Sequence, residues 1–449
     1  MPQTRTFPEL KFPQLHRATL KNGTQVILAE RHDIPVVQFS YEFPGGFTAD
    51  QGRKQGTANF TMDLMGEGAG KLGALPFANA ADALGATLGA SASLDSASVY
   101  LSALKENLAP SLALYADMLR QPRFEQGEID RVKATWIAGI QQEKVNPSAA
   151  AMRVMPTLLY GAGHPYAIPF TGSGNEADIQ SLTRDDLVSF HRDALRPEQG
   201  TLIVVGDTTL KDIVPLLERQ FGDWKSTGTA PEVKAPADVA RPTHARVYLI
   251  DQPGAVQANL FASQLVPSAM DPGSTRFDIA NGVIGGDFTS RLNMNLREEK
   301  HWSYGAGSSA PATLGQRPWG ARAPVQIDKT AESMQELQKD IRDFASGAKP
   351  ATAAEVARIR NIQTLSLPGA YETASAVLGT ISGIVRYQRP DDYVFKRIGR
   401  ESGFGSLGQQ LNAIGYDSVF VYGGRGYFDN MTLQPPPALN YLTTEFRYI

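Results

Sequence analysis

The chain contains no cysteine. Disulfide bonds, thiolate metal ligands and thiol nucleophiles are therefore excluded, and the absence fits an oxidising compartment without requiring one. No run approaches the roughly eighteen consecutive apolar residues that a membrane-spanning helix needs, so we expect no membrane span. The net charge of −3 includes no block of like charges, which argues against nucleic acids and anionic membranes as partners.

Histidine is scarce as well. No two of the six histidines share the spacing of metal ligands: His16, His32, His164, His191, His244 and His301. We expect His164 to have a structural role in its loop and His301 to be a solvated loop residue. The glycine-rich run GEGAG at 66–70 lacks the Gly-Lys-Ser/Thr of a phosphate-binding loop, and we interpret it as the end of a helix.

The length of 449 residues exceeds what one hydrophobic core usually supports, so two or more domains are expected. Residues 225–243 have no hydrophobic period and several prolines, which indicates an interdomain linker. We therefore predict an N-terminal extension at 1–15, a first domain at 16–224 and a second domain at 244–449. The extension is polar and proline-rich, which is typical of sequence that follows a removed signal peptide, and we expect a periplasmic location.

Local patterns predict interspersed strands and helices in the first half. Asn22-Gly23 favours a hairpin with a type I′ turn. A half-buried strand is predicted where apolar and smaller residues alternate, at Val37, Phe39, Tyr41 and Phe43. The remaining predictions are a helix from Gly56 to about 65, two strands around Leu94-Asp95, helices at 106–120, 125–143 (closed by Pro147) and 210–221, a capping box at Thr183–Asp186, and a buried strand at 201–206.

The second half repeats this outline. The predicted elements are strands at 247–250 and 258–265, a helix at 329–345, and another helix that begins with a capping box at Thr352. Near the C-terminus, SVFVYGG (418–424) corresponds to TLIVVGD (201–207) in the first half. An internal duplication with two domains of about 200 residues each is the economical interpretation.

The stretch Asn281–Ser309 carries the most information about function. We predict a short helix broken at Gly285-Gly286, a second helix with Asp287 as its N-cap, and then a strand. A buried stripe is predicted for residues that recur every fourth position: Ile284, Phe288, Leu292 and Leu296. Arg297 lies off this stripe, and Tyr304 follows seven residues later. Taken singly, these two residues would be a surface charge and a strand aromatic.

The order Gly-Gly, Ser-Arg-Leu, Leu-Arg and Tyr-Gly in this stretch resembles the C-terminal domain of the pitrilysin/insulinase family of zinc metallopeptidases. Asn22-Gly23, Pro44-Gly45-Gly46, Gly163–Tyr166 and the strand ending at Asp207 also follow in the family's order. The resemblance implies an α+β fold of two homologous α/β-roll domains. It also implies that Arg297 and Tyr304 reach a substrate held at a zinc ion in another domain.

The residues that the family uses for zinc are absent here. Catalytic members carry the inverted motif His-x-x-Glu-His, and the matching positions are Asn59, Met62 and Asp63. The family's spacing places the third ligand at Gly139. A catalytic zinc needs three protein ligands and a water, and these four residues cannot supply them or the general base. We predict that this chain holds no metal or other cofactor. Glu67 and Glu143 are interpreted as surface charges.

Two classes of function remain. The first is the zinc-less subunit of a heterodimeric metallopeptidase that degrades or processes peptides. Its partner would be a zinc-bearing homologous subunit, and Arg297 and Tyr304 would act in trans by binding the substrate carbonyl and stabilising the transition state. The alternative is a structural, non-catalytic subunit of a larger complex, like the core proteins of the respiratory chain. Retention of Arg297 with Tyr304 favours the first class.

Overall fold

The computed structural model describes residues 10–228, 236–240, 242, 244–251 and 254–395, and the backbone of 427–428 and 431–432. Contacts divide the chain into two compact units. The first unit comprises the residues up to 236 together with 368–391, and the second comprises 237–367 together with the residues from 392 onward. The domain boundaries inferred from the sequence stay predictions. No helix among the described residues is long and apolar enough to cross a membrane.

A six-stranded sheet forms the centre of the first unit. Its strands are β1 (Leu15–Thr19), β2 (Gln25–Glu30), β3 (Val36–Pro44), β6 (Thr87–Ala92), β7 (Ser96–Leu104) and β8 (Thr201–Gly206). A separate two-stranded hairpin consists of β4 (Gly68–Ala69) and β5 (Leu72–Gly73). The order across the large sheet is β1-β2-β8-β3-β7-β6. The β2–β8 pair is parallel and the other neighbours are antiparallel.

Helices of the first unit cover this sheet. They are α1 (Thr57–Leu64), α2 (Ala74–Ala83), α3 (Leu108–Arg120), α4 (Gln126–Val145), α5 (Pro147–Tyr160), α6 (Glu176–Ser181), α7 (Arg184–Ala194) and α8 (Leu210–Phe221). The predicted capping box is confirmed, since the Thr183 hydroxyl accepts from the Asp186 amide and the Asp186 carboxylate accepts from the Thr183 amide. Pro147 begins α5 instead of only closing α4, because its fixed φ and missing N–H suit the first helical position.

The second unit contains a three-stranded antiparallel sheet in the order β10-β11-β9. Its strands are β9 (Gln257–Val266), β10 (Gly307–Ser309) and β11 (Arg317–Gln326). A separate hairpin near the C-terminus consists of β12 (Tyr427–Phe428) and β13 (Met431–Thr432). The helices of this unit are α9 (Ser274–Asn281, extended by a π-helical turn to Gly286), α10 (Arg291–Asn293, extended by a π-helical segment to Glu299), α11 (Thr330–Ala345) and α12 (Ala353–Leu365). Two further helices follow, α13 (Leu367–Ala370) at the boundary between the units and α14 (Ala374–Arg386), which belongs to the first unit.

Strand β3 is buried on both faces, so the prediction of a half-buried strand is wrong. Its large apolar residues point into the main core of the first unit, as predicted. Its other face is covered by α14, and the buried Glu42 carboxylate accepts from the Arg386 guanidinium at 2.9 Å. The short strand signal could not reveal this cover, because α14 lies more than 300 residues further along the chain.

Two further local predictions are wrong. The hairpin of β1 and β2 exists, but of the residues in its turn only Gly23 has a positive φ, whereas a type I′ turn needs two. Residues 247–250 form no strand, and Leu249 is 91% exposed. The predicted counterpart strand at 418–424 lies outside the described residues.

Candidate functional site

Arg297 lies between two aromatic rings on the second unit. Its guanidinium carbon is 4.7 Å from the ring centroid of Phe288 and 5.2 Å from that of Tyr304. Both distances are within the range in which a cation is attracted to the face of an aromatic ring. Phe288 is 61% exposed and Tyr304 is 85% exposed. The two predicted site residues, Arg297 and Tyr304, are thus brought together at a surface, and Phe288 joins them.

Phe288 was predicted to belong to the buried stripe, and this prediction is wrong. Asp287 does not cap the helix. Its carboxylate accepts from the Thr289 amide at 2.9 Å, and the helix begins only at Arg291. Phe288 therefore lies in a turn and not on a helical face, so the four-residue period does not apply to it. The other members of the stripe, Ile284, Leu292 and Leu296, are buried as predicted.

A reversal of the chain after the helix brings Tyr304 back toward Arg297. His301 adopts a left-handed conformation with φ 59°, which ends the helix. The backbone amides of Trp302 and Ser303 both donate to the carbonyl of Leu296. The exposed His301 ring donates from Nδ1 to the carbonyl of Arg297 at 3.0 Å. His301 is thus a loop residue at the surface, and its contact is with the backbone of the site.

Asn293 connects the segment that carries Phe288 with the segment that follows Tyr304, and the sequence did not identify it as a site residue. This buried side chain donates from Nδ2 to the carbonyl of Phe288 at 2.7 Å. Its Oδ1 accepts from the amide of Ala306 at 3.1 Å. One amide group therefore holds the turn that carries Phe288 and the strand that follows Tyr304. The available signal was a polar residue directly after the buried Leu292.

The Gly-Gly motif permits close packing under this site. A Cβ on Gly285 would lie 2.6 Å from the backbone nitrogen of Ser308. Real Cβ atoms do not approach backbone so closely, so the helix and β10 meet only because Gly285 has no side chain. The Ser308 hydroxyl donates to Asn281 Oδ1 at 2.7 Å, and the Trp319 indole donates to the same oxygen at 2.7 Å.

The positions of the missing zinc ligands meet in one cleft of the first unit. Asn59 and Asp63 from α1 and Gly139 from α4 line a cleft of about 420 Å³. Asn59 and Asp63 are four residues apart on the same helix and share a face. Met62 is fully buried in the hydrophobic core and is not among the lining residues. The cleft therefore brings together three of the four positions that the sequence analysis singled out.

Glu67 and Glu143 also line this cleft, so their interpretation as mere surface charges is wrong. Glu67 pairs with Arg131 at 2.6 Å. Glu143 pairs with Arg153 at 2.6 Å and accepts from the Ser173 hydroxyl at 2.7 Å. Glu143 follows Gly139 by one helical turn, which places both on the same face of α4. The internal ion pairs occupy these carboxylates, so they are not free ligands.

Asp63 lines the cleft as an exposed residue and has no ion pair among the described residues. Desolvation by the walls, followed by repulsion from Glu67, raises the pKa of Asp63, and Arg131 opposes this shift. Within the described ranges, no group of three or more His, Cys, Asp or Glu side chains is arranged to hold a metal ion. The donor set of the cleft, with one unpaired carboxylate and the amide of Asn59, does not fit a catalytic zinc.

Asp50 anchors the helix that carries Asn59 and Asp63. Its buried carboxylate accepts from the amides of Gly56 at 2.7 Å and Ala58 at 2.8 Å, at the start of α1. Burial raises the pKa of Asp50 to about 7, although both hydrogen bonds favour the charged form. The unit thus holds a buried, titratable carboxyl group at the start of the helix that lines the cleft.

Comparison with known proteins identifies the class to which this fold belongs. Residues 25–161 match the insulinase domain of peptidase family M16, and residues 181–363 match the domain described as the peptidase M16 inactive domain. The chain therefore belongs to the M16 (insulinase) family of peptidases. This confirms the family resemblance, and the mixed α/β architecture agrees with two M16-type domains.

Its similarity to two bacterial relatives extends over most of the chain. An uncharacterized zinc protease of Bacillus subtilis, YmxG, is 23% identical over 331 residues, which are 72% of this chain and 77% of the relative. A protein of Helicobacter pylori named non-peptidase homolog YmxG is 21% identical over 365 residues, which are 81% of this chain and 82% of the relative. The relatives thus include proteins named as proteases and one named as a non-peptidase.

Solved structures show the same fold. A peptidase M16 inactive domain from Pseudomonas fluorescens gives a TM-score of 0.81 at 21% identity, and the match covers 89% of this chain and 94% of that one. The periplasmic protease PqqL from Escherichia coli gives a TM-score of 0.70 at 15% identity, with 92% of this chain and 47% of PqqL covered. At these identities the likeness establishes the fold alone.

Proposed function

We propose that this chain, built from two related domains, is the non-zinc-binding subunit of a heterodimeric metallopeptidase that degrades or processes peptides. The partner is a zinc-bearing homologous subunit. Arg297 and Tyr304 act in trans on a peptide held at the partner's zinc. The observation that carries the proposal is the contact of the half-buried Arg297 with the exposed Tyr304 on a chain whose own cleft lacks zinc ligands.

The chemistry of the pair suits a peptide carbonyl. The Tyr304 side chain makes no hydrogen bond to the described residues, so its hydroxyl is available as a donor. Negative charge develops on the carbonyl oxygen when hydroxide attacks, and a donor placed there lowers the barrier. The Arg297 guanidinium offers several donors and a charge that does not titrate. Its stacking on two rings restricts its orientation before substrate arrives.

The lengths of the matched proteins also support a two-chain assembly. This chain corresponds to 47% of PqqL, so one PqqL chain is about twice as long as the matched region. We infer that a second chain of similar length supplies here what the other half supplies in a single long chain. We place the assembly in the periplasm, because PqqL is named as a periplasmic protease; the absence of cysteine is compatible with that compartment.

A structural, non-catalytic role is the competing function. The name of the Helicobacter pylori relative, non-peptidase homolog, favours it. A purely structural subunit has no use for two exposed aromatic rings stacked on an arginine, because the rings leave apolar surface in contact with water. The two functions therefore predict different behaviour of the complex.

Reconstitution from purified proteins tests the proposal. The chain is mixed with each zinc-bearing M16 homologue of its native host, and hydrolysis of a quenched-fluorescence peptide library is compared with that of each protein alone. We expect this chain alone to be inactive and one mixture to form a complex whose activity exceeds that of the homologue alone at least tenfold. Failure of every homologue to bind, or a complex no more active than the homologue alone, would overturn the proposal.

A further inference from the structure

The proposed function leaves the cleft of the first unit without a ligand. Its volume of about 420 Å³ lies within the range of about 300–1,000 Å³ that is typical of sites for small ligands. One wall is an apolar stripe along α4, formed by Val132, Trp136 and Ile140, which recur every fourth residue. An open cleft with an apolar wall and a few polar groups is a candidate binding site.

Most polar side chains of this cleft already have partners in the chain. Glu67 and Glu143 pair with arginines. The hydroxyls of Thr171 and Ser173 both donate to Glu143, at 3.2 and 2.7 Å. The indole of Trp136 donates to the carbonyl of Ser173 at 2.9 Å. These contacts fix the walls of the cleft and satisfy the groups that make them.

Two polar side chains on α1 are free. Neither Asn59 nor Asp63 makes a side-chain hydrogen bond or an ion pair with the described residues, although both line the cleft. They are four residues apart, so the amide and the carboxylate lie one helical turn from each other. Gly139 of α4 contributes no side chain, and nothing lies within 4 Å of its Cβ position. The cleft thus combines an apolar stripe, open space, a free amide and a free carboxylate.

This combination favours a cation on an apolar stem. Desolvation and repulsion from Glu67 raise the pKa of Asp63, so a cation bound beside Asp63 would stabilise its charged form. An anion would instead meet the carboxylates of Asp63, Glu67 and Glu143. The guanidinium of Arg131 would not compensate, because it is already shared between Glu67 and Glu128. An aliphatic stem can lie along apolar side chains while its charged head contacts a carboxylate.

We propose that this cleft binds a primary ammonium group on an aliphatic stem, which is the chemistry of a lysine side chain in a peptide. The carboxylate of Asp63 pairs with the ammonium, the Asn59 amide oxygen accepts from a second N–H, and the stem packs on Trp136. A guanidinium fits less well, because its planar fork suits one bidentate acceptor and these acceptors lie a helical turn apart. The site goes beyond the proposed function and does not depend on it, since it needs this chain alone.

Binding to the full chain tests the site. The probe is a fluorescent five-residue peptide of alanines with a central lysine and blocked ends. Its matched control carries acetyl-lysine, which keeps the stem and has no charge. We expect the lysine peptide to bind at least tenfold more tightly, measured by fluorescence anisotropy. Such a ratio corresponds to about 1.4 kcal/mol, a size that one hydrogen bond to a charged group can supply.

Two variants separate the charge of the cleft from its open space. Asp63→Asn removes the charge and keeps the shape. Gly139→Leu fills the space without a change of charge and without a clash at Cβ. Each should weaken binding of the lysine peptide at least tenfold. Asp33→Asn is the control and should bind like the parent, because it removes the same charge from a side chain that is 76% exposed and is not part of the cleft.

Competition by pentylamine distinguishes two sources of the ammonium group. Weaker competition than that of the unlabelled lysine peptide assigns the site to peptides, and equal or stronger competition assigns it to free amines. Equal affinity for the lysine and acetyl-lysine peptides, no saturable binding of either, or undiminished binding by Asp63→Asn or Gly139→Leu would overturn the proposal. Tighter binding of an arginine peptide than of the lysine peptide would overturn the choice of an ammonium over a guanidinium group.

Discussion

The guanidinium of Arg297 lies over the ring of Tyr304, with 5.2 Å between the guanidinium carbon and the ring centroid. Phe288 flanks the same guanidinium on a second ring at 4.7 Å. Three residues from a turn, a helix and the segment after it therefore form one exposed stack. The stack fixes the orientation of a charged donor group at the surface of a chain that has no metal site in its described residues.

Phe288 is expected to position Arg297. Replacing Phe288 with Ala removes one π face, and an exposed cation–π contact contributes about 0.5–1 kcal/mol. We expect turnover of the reconstituted complex to fall about two- to fivefold, and Phe288→Tyr to keep nearly full activity. Steady-state kinetics with one peptide substrate measures this. Equal losses in the Ala and Tyr variants would show that the aromatic face is not what matters.

The cleft of the first unit is expected to accept zinc when its ligands are restored. In the triple variant Asn59→His, Asp63→His and Gly139→Glu, three ligands project from α1 and α4 into the same cleft. The added side chain at 139 has room, because nothing lies within 4 Å of its Cβ position.

Metal analysis after dialysis measures the restored site. We expect about one zinc per triple-variant chain and none in the parent. The double variant that keeps Gly139 is the control, and it should bind zinc at least tenfold more weakly because two ligands remain. A folded triple variant that binds no zinc would show that these positions do not correspond to the family's metal site.

Gly285 is expected to tolerate no side chain. Gly285→Ala puts a Cβ against the backbone of Ser308, and we expect a loss of about 1–3 kcal/mol in the free energy of unfolding. Gly379→Ala in α14 is the matched control, because nothing lies within 4 Å of its Cβ position and alanine favours a helix. Urea unfolding measures both, and equal stability of the two variants contradicts the close-packing argument.

Asp50 is expected to make the first unit less stable as the pH rises toward neutrality. Its carboxyl pKa is about 7 in the folded state, above the ordinary value of 3.8, so the folded state keeps a proton that the unfolded chain releases. This contribution is complete below about pH 4 and is lost as the pH rises through about 7. Asp50→Asn has no such proton.

Urea midpoints at pH 5 and pH 8 test this difference. We expect the parent to lose stability between these two values relative to Asp50→Asn, measured by tryptophan fluorescence. Parallel changes in the two proteins would show that the Asp50 carboxyl titrates at its ordinary pKa, and that its two hydrogen bonds outweigh its burial.

The sequence alone predicted those parts of the structure that depend on residues close together along the chain. The capping boxes at Thr183 and Thr352 were predictable because each signal is contained in four residues. The type of the β1–β2 turn was not, since Asn22 instead donates its side-chain amide to the carbonyl of Phe221, which is distant in sequence. Likewise, only the packing of α4 against α1 brings Glu143 into the cleft.

The candidate site was predictable in identity but not in geometry. The spacing of Arg297 and Tyr304 identified both residues, because they belong to a pattern that resembles a known family. Their contact could not be predicted, since it depends on the left-handed residue His301 and on the buried amide of Asn293. Phe288 was assigned to the core on the four-residue recurrence, and this failed because a local Asp287–Thr289 turn replaces the first turn of the helix.

The most direct test of the proposed function is the turnover of the reconstituted complex with Tyr304→Phe. This change removes only the hydroxyl, keeps the ring under Arg297, and affects a side chain that is 85% exposed, so folding and assembly should be unchanged. Arg297→Ala is tested beside it, with Glu299→Ala on the same helix as the control, because the Glu299 side chain is 71% exposed and, among the described residues, pairs only with Lys300. We predict that Tyr304→Phe and Arg297→Ala each lower turnover at least tenfold while Glu299→Ala does not. Full activity of assembled complexes carrying Tyr304→Phe and Arg297→Ala would contradict the account.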